Sequence, residues 1–226
     1  MSEGPGGLAD EDRKRFFRIR WEASQQPVQG VAAARRRVGA AMRRVIERLI
    51  TSDAPEREIG LAAERLDEFA DRLGEHPRRQ RYMGFSEAAV TDPDSPGPLG
   101  DGGGHFDFSP LIGPSNPLAP PIEMSSDEEG NVEGKVVFGS AYEGPPGCLH
   151  GGYIAASFDE VLGYAETFSG NPGMTGTLTI RYRTPPPVHE QVVFRANMER
   201  VVGRKIFVKG SLLAGERLCA EAEAIF

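Results

Sequence analysis

The chain has 226 residues, 39% of them hydrophobic and 26% charged, with a formal net charge of −7. That is the composition of a globular protein, and it holds no run of about 18 apolar residues to span a bilayer. Residues 1–80 carry 16 Lys/Arg against 14 Asp/Glu and residues 81–226 carry 10 against 19, so neither half has the basic excess of a nucleic-acid binder. The N-terminus lacks the basic start and apolar core of a secretory signal. Cys148 and Cys219 form no disulfide or metal framework, so a reducing, cytoplasmic setting is the expectation.

Residues 1–26 read as a Gly-rich tail and a short charged segment. Within it Phe16, Phe17, Ile19 and Trp21 alternate with arginines, the pattern of a docking helix that Pro27 ends. Residues 27–80 read as a helical hairpin. Val31, Val38, Met42, Val45 and Leu49 keep helical spacing in its first arm, and Ile59, Leu66, Phe69 and Leu73 keep it in the second. Asp53-Ala54-Pro55-Glu56 has the form of a capping box with Asp53 as N-cap. The Arg35–Arg37 run reads as a solvated helix face. A unit this small buries too little to stand alone, so its apolar faces are expected to pack on the rest of the chain or on a second copy.

Residues 81–112 form a Gly/Pro-rich linker. Its Gly102–Gly104 run lacks the Lys and the strand–helix context of a phosphate loop. Phe106, Phe108, Leu111 and Ile112 among prolines predict an extended segment pressed onto a surface.

From residue 113 to 226 the pattern is strand, strand, helix and four strands. Short runs around Ile122–Met124 and Lys135–Ser140 precede the helix. Thr177–Arg183, Gln191–Arg200, Lys205–Leu213 and Leu218–Phe226 follow it, alternating apolar and polar residues with turns between. Short gaps predict antiparallel meander pairing, and one long helix against one sheet is an α+β arrangement.

The helix begins after Pro145-Pro146-Gly147. Ile154, Phe158, Val161, Leu162 and Ala165 fall on one face. Asp159 lies on the rim of that face, Glu160 points nearly opposite, and Glu166 returns to the rim. A carboxylate on such a rim is desolvated on one side, the setting of a general base. Gly151 and Gly152 occupy the helix start, where backbone N–H groups have no intrahelical partner. Cys148 precedes His150 by two residues, but no third group is present to orient a Cys–His pair. Glu160 and Glu166 read as surface charges, with Glu166 second to Asp159 as the acting carboxylate. His76, His105 and His189 have no metal-ligand spacing. Arg181, Arg183, Arg204 and Lys205 read as exposed strand charges.

Together these motifs resemble the hotdog-fold acyl-CoA thioesterases, in the PaaI-like branch that includes the THEM-type enzymes. The resemblance rests on Asn116-Pro-Leu-Ala-Pro-Pro before the first strand and on Tyr142-Glu-Gly-Pro-Pro-Gly leading into His150-Gly-Gly. It also rests on Asp159 nine residues after His150, on Met174-Thr175, and on Tyr182-Arg183-Thr184-Pro185. It covers residues 113–226 only. What it implies is a hotdog fold, an antiparallel sheet wrapped on one long central helix, with residues 27–80 as an N-terminal helical extension.

The resemblance implies hydrolysis of acyl-CoA to free acid and CoA, in the context of fatty acid metabolism, without metal or other cofactor. By it, Asp159 acts as nucleophile or as general base for water, and the N–H groups of Gly151 and Gly152 hold the thioester oxygen. His150 orients the loop or the thioester. Thr175 supplies a hydroxyl from a facing subunit. A homodimer or homotetramer with sites at the subunit interface is expected. The alternatives are a non-catalytic hotdog protein that binds acyl-CoA or lipid, and a hotdog enoyl-CoA hydratase or dehydratase.

Overall fold

The computed structural model describes residues 10–77, 84, 85, 88 and 106–226. The Gly-rich tail, most of the linker with its glycine run, and His105 lie outside the described residues. The described α-helices include α1 (Asp10–Ser24), α2 (Gly30–Thr51), α3 (Glu56–Gly74) and α4 (Gly151–Glu166). The strands are β1 (Glu123–Ser126), β2 (Val132–Val137), β3 (Thr177–Tyr182), β4 (Gln191–Val202), β5 (Lys205–Ala214) and β6 (Arg217–Ile225).

The strands form one antiparallel sheet in the order β1-β2-β4-β5-β6-β3. A meander holds for β4, β5 and β6, but β3 pairs with β6 rather than with β4. The connection explains the exception. Residues 183–190 include Pro185, Pro186 and Pro187, which cannot form a tight hairpin turn with ladder bonds. The chain therefore crosses to the far side of the sheet, and β3 becomes an edge strand.

Helix α4 lies on one face of this sheet. Phe158, Val161 and Leu162 are fully buried against Val192, Phe194, Val208 and Leu212. A row of small residues makes room for the helix. Ala196, Gly210 and Ala222 stand side by side across β4, β5 and β6. A Cβ on Gly210 would lie 2.7 Å from the Arg195 carbonyl oxygen and 3.1 Å from Leu162, so only glycine lets the helix come this close.

The other side of α4 is covered as well. Phe17 and Trp21 of α1 join Phe85 and Phe106 around Tyr164, with the Trp21 and Tyr164 ring centroids 4.5 Å apart. The docking helix expected from the sequence is thus α1. Phe106 and Ile112 are buried in the same core, as expected for a segment pressed onto a surface, but residues 106–118 run as successive turns rather than extended. Burial pushes the Tyr164 phenol up to about 12, and its hydroxyl sits 3.0 Å from that of Ser126.

Helix α2 is fastened to residues 107–116. Arg36 pairs with Asp107, and Arg43 donates to the Pro114 and Asn116 carbonyls. Gly39 is buried where a Cβ would meet the Pro114 carbonyl oxygen at 2.7 Å. Helix α3 is different. It begins at Glu56 with Pro55 at its N-cap and no side-chain cap bond, so the capping box read at Asp53 does not form. Extended backbone at Ser52 and Pro55 carries the chain past it. Helix α3 buries no residue, and it is not packed along α2 as a closed hairpin.

Candidate active site

The loop before α4 is fixed by backbone pairing. Gly144 N–H donates to Cys148 O, Leu149 N–H to Pro186 O, and His150 N–H to Tyr142 O, each at 2.9 Å. A local turn and the Pro-rich crossover thereby set the start of the helix together.

At that start the peptide groups are sorted. His150 is the N-cap, and its Nδ1 accepts the Gly152 N–H at 3.0 Å. The carbonyl of the same peptide, Gly151 O, accepts the Tyr182 hydroxyl at 3.0 Å. The Gly151–Gly152 peptide is therefore held at both ends. The preceding carbonyl, His150 O, accepts from Tyr153 and Ile154. Among the described residues no acceptor for the Gly151 N–H is found. Of the two glycine donors named by the resemblance, Gly152 is already engaged and Gly151 is open. The Tyr182 ring also lies 3.6 Å from where a Gly151 Cβ would be.

Asp159 is exposed, on the rim that the helical wheel assigned it. The Thr175 hydroxyl donates to Asp159 Oδ1 at 2.8 Å. Thr175 thus reaches the carboxylate of its own chain, where the resemblance implies a hydroxyl from a facing subunit. It does so from residues 170–176, which lead into β3 and place it beside the second half of α4.

The other two carboxylates of the helix are not surface charges. Glu160 accepts the Ser109 hydroxyl at 2.7 Å. Burial foremost, and then the charge of Asp159, holds its carboxyl above the usual range against the opposing pull of that bond. Glu166 is 2% exposed and accepts the Gly173 N–H at 2.8 Å. Burial raises it to about 8, although the Gly173 bond pulls the other way. The wheel could place these groups off the sheet-facing stripe. It could not show that α1 and residues 106–122 cover the opposite side.

The clusters thus stand at two places. One end of β3, through Tyr182, adjoins the open Gly151 N–H. The other end, near Thr175, adjoins Asp159. Tyr182 was legible only as part of the Tyr-Arg-Thr-Pro motif, since a bond to a residue 31 positions earlier has no local signal. The His150 cap was open to reading from sequence, because a side-chain acceptor before two helix-starting residues is a local feature.

The Thioesterase superfamily model matches residues 146–223, which run from the loop before His150 into β6. Acyl-coenzyme A thioesterase THEM4 of Xenopus laevis is 34% identical over 90 residues, 39% of this chain and 40% of that relative. Human acyl-coenzyme A thioesterase THEM5 is 34% identical over 70 residues, 31% of this chain and 28% of that relative. The chain thus spans well under half the length of these curated relatives. A crystal structure of a thioesterase superfamily protein superposes with a TM-score of 0.73 at 31% identity, covering 89% of this chain and 97% of that one. That likeness extends beyond the motif-bearing half of the chain, and with the motif geometry and the matched model it places this protein in the thioesterase superfamily.

Proposed function

We propose that this protein hydrolyses acyl-CoA thioesters, and that two copies of the chain build each site. One observation carries the reading. The exposed Asp159 carboxylate, held by Thr175, and the open Gly151 N–H are eight residues apart on one helix, so about 12 Å along its axis. A thioester carbonyl needs the N–H within about 3 Å and the carboxylate within about 3 Å of the carbon or of the attacking water, and a single chain holds the two groups too far apart for that.

A second copy can. If β3 pairs antiparallel with the β3 of another copy, the Tyr182 end of one strand lies beside the Thr177 end of the other. That brings the Gly151 of one chain toward the Asp159 of its mate, and a two-fold axis makes two such sites. The free edge of β3 and the exposure of Tyr182 and Met174 are consistent with this pairing.

Within the composite site Asp159 takes a proton from water as the oxygen adds to the thioester carbon. The Gly151 N–H, at a helix start where it also gains from the helix dipole, receives the charge that develops on the carbonyl oxygen. Collapse of the tetrahedral adduct expels CoA as thiolate, which recovers the proton. Direct attack by Asp159 through a mixed anhydride uses the same placement; a single turnover in ¹⁸O-water that labels Asp159 would identify it. His150 and Tyr182 hold the peptide that follows the donor N–H. No described helix is long and apolar enough to cross a membrane, and a cytoplasmic setting is part of the proposal.

A thiol-release panel over acyl-CoAs of increasing chain length tests the reading. Release by the folded dimer is expected; binding without release would make the protein a non-catalytic acyl-CoA binder. Tyr182→Phe keeps the ring but removes its bond to Gly151 O. A fall in kcat of about tenfold, the scale of one lost hydrogen bond near a reacting group, is expected with KM little changed. An unchanged kcat would remove Tyr182 from the donor's support.

A further inference from the structure

Helices α2 and α3 each carry an uncovered apolar stripe. On α2, Val31, Val38, Met42, Val45 and Leu49 are all exposed and fall within an arc of about 60°. That stripe lies well away from the face through which Gly39, Arg43 and Glu47 fasten the helix to the body. On α3, Ile59, Leu66 and Leu73 are exposed on one face. An isolated helix of this length is marginal in water, and α3 contains two glycines besides.

The charges beside the stripes indicate what covers them. Arg37, Arg44 and Arg48 form one flank of the α2 stripe, and all are exposed. On α3 the flank of opposite hand carries Glu56, Asp67 and Asp71, while the flank of the same hand carries Glu58 with Arg65 and Arg72. Antiparallel helices bring flanks of the same hand together, and parallel helices bring flanks of opposite hand together. Folding α3 back on its own α2 would be antiparallel, across the short link of residues 52–55, and would set the three arginines mainly against two more. A parallel pairing sets them against three carboxylates, and only an α3 from another chain can lie that way.

We propose that α2 and α3 form an arm that docks on a second copy of this chain, α3 of one copy lying parallel to α2 of the other. The arm is continuous with the paired site proposed above, from which it takes only the pairing of two copies. Glu47 near the end of α2 accepts from the Ser140 N–H and hydroxyl. From there the Ser140–Tyr142 turn leads to Tyr153 on α4, the Tyr142 and Tyr153 ring centroids being 4.9 Å apart. Tyr153 and Leu118 are exposed on this side, so the docked arm borders the half-site and closes the region around it.

Two charge-reversed full-length chains test this, read by hydrogen exchange at α3 amides. One carries R37E, R44E and R48E; the other carries E56R, D67R and D71R. In the unaltered protein α3 is expected to be protected, and in either variant alone its exchange should quicken by about tenfold, the scale of three ion pairs turned repulsive. An equimolar mixture should restore protection, since each reversed α2 then meets a complementary α3 from the other chain. Lack of restoration, with each variant still dimeric, would overturn the proposal and assign the stripe to the same chain. Unprotected α3 in the unaltered protein would overturn it as well. Neither readout depends on thioester hydrolysis, so failure of the arm and failure of the catalytic reading are separable.

Discussion

Asp159→Asn is expected to slow thiol release from acyl-CoA by about 10²- to 10⁴-fold, the range for removing a positioned general base, while the melting temperature stays where it was. The side chain is exposed, and its recorded bond is the one donated by Thr175 to Oδ1. Asparagine keeps an oxygen there, so little of the fold depends on the change. What is lost is the ability to accept a proton or to attack. Thiol release under saturating substrate, with a melting curve on the same sample, checks both halves. If the variant turned over normally, the assignment of the acting carboxylate would be wrong. If it lost activity only by unfolding, Asp159 would be a structural residue.

Glu166→Gln is expected to do the reverse, preserving turnover and raising stability. Glu166 is buried, and its carboxyl is raised to about 8 from an ordinary 4.5. Between those values the folded chain holds a proton that the unfolded chain has released, so stability falls as pH rises. The protonated side chain's full contribution is present below about pH 4.5 and is lost progressively until the group ionises in the fold near pH 8. At about 1.4 kcal/mol per pH unit, the cost at pH 7 is on the order of 3 kcal/mol. Glutamine can still accept the Gly173 N–H and has no proton to lose. Melting curves from pH 5 to 8 should therefore diverge, the unaltered protein losing stability with pH and the variant losing less. Parallel curves would mean that Glu166 is not a buried acid. Loss of turnover with stability intact would make it the acting carboxylate in place of Asp159.

These two residues also mark the limits of sequence reading. The helix from Gly151 to Glu166 was legible because its apolar residues repeat at helical spacing, and Asp159 was legible because a rim position follows from that spacing. Strand existence was legible by alternation. Pairing was not, since the choice of β6 over β4 as partner for β3 depends on what a run of three prolines prevents. The burial of Glu160 and Glu166 was not legible either. Ser109 lies 51 residues before Glu160, and a wheel drawn for one helix and one sheet has no third layer. The second arm of the expected hairpin is a helix, as its spacing predicts, but it buries no residue, and what its stripe meets is not written in its own periodicity.

The row of Ala196, Gly210 and Ala222 bears on more than core packing. It sets the height of α4 above the sheet, and α4 carries Gly151 at one end and Asp159 near its middle. In a two-fold pair every site draws one group from each helix, so both groups are measured from the same kind of floor. A methyl added at Gly210 would raise both helices together and shift donor and carboxylate in each site, along directions related by the axis rather than along one direction. The errors would not cancel. If two copies pair as proposed, the small residues under the helix act as a gauge for the gap between the two molecules, from beneath α4 rather than from the gap itself.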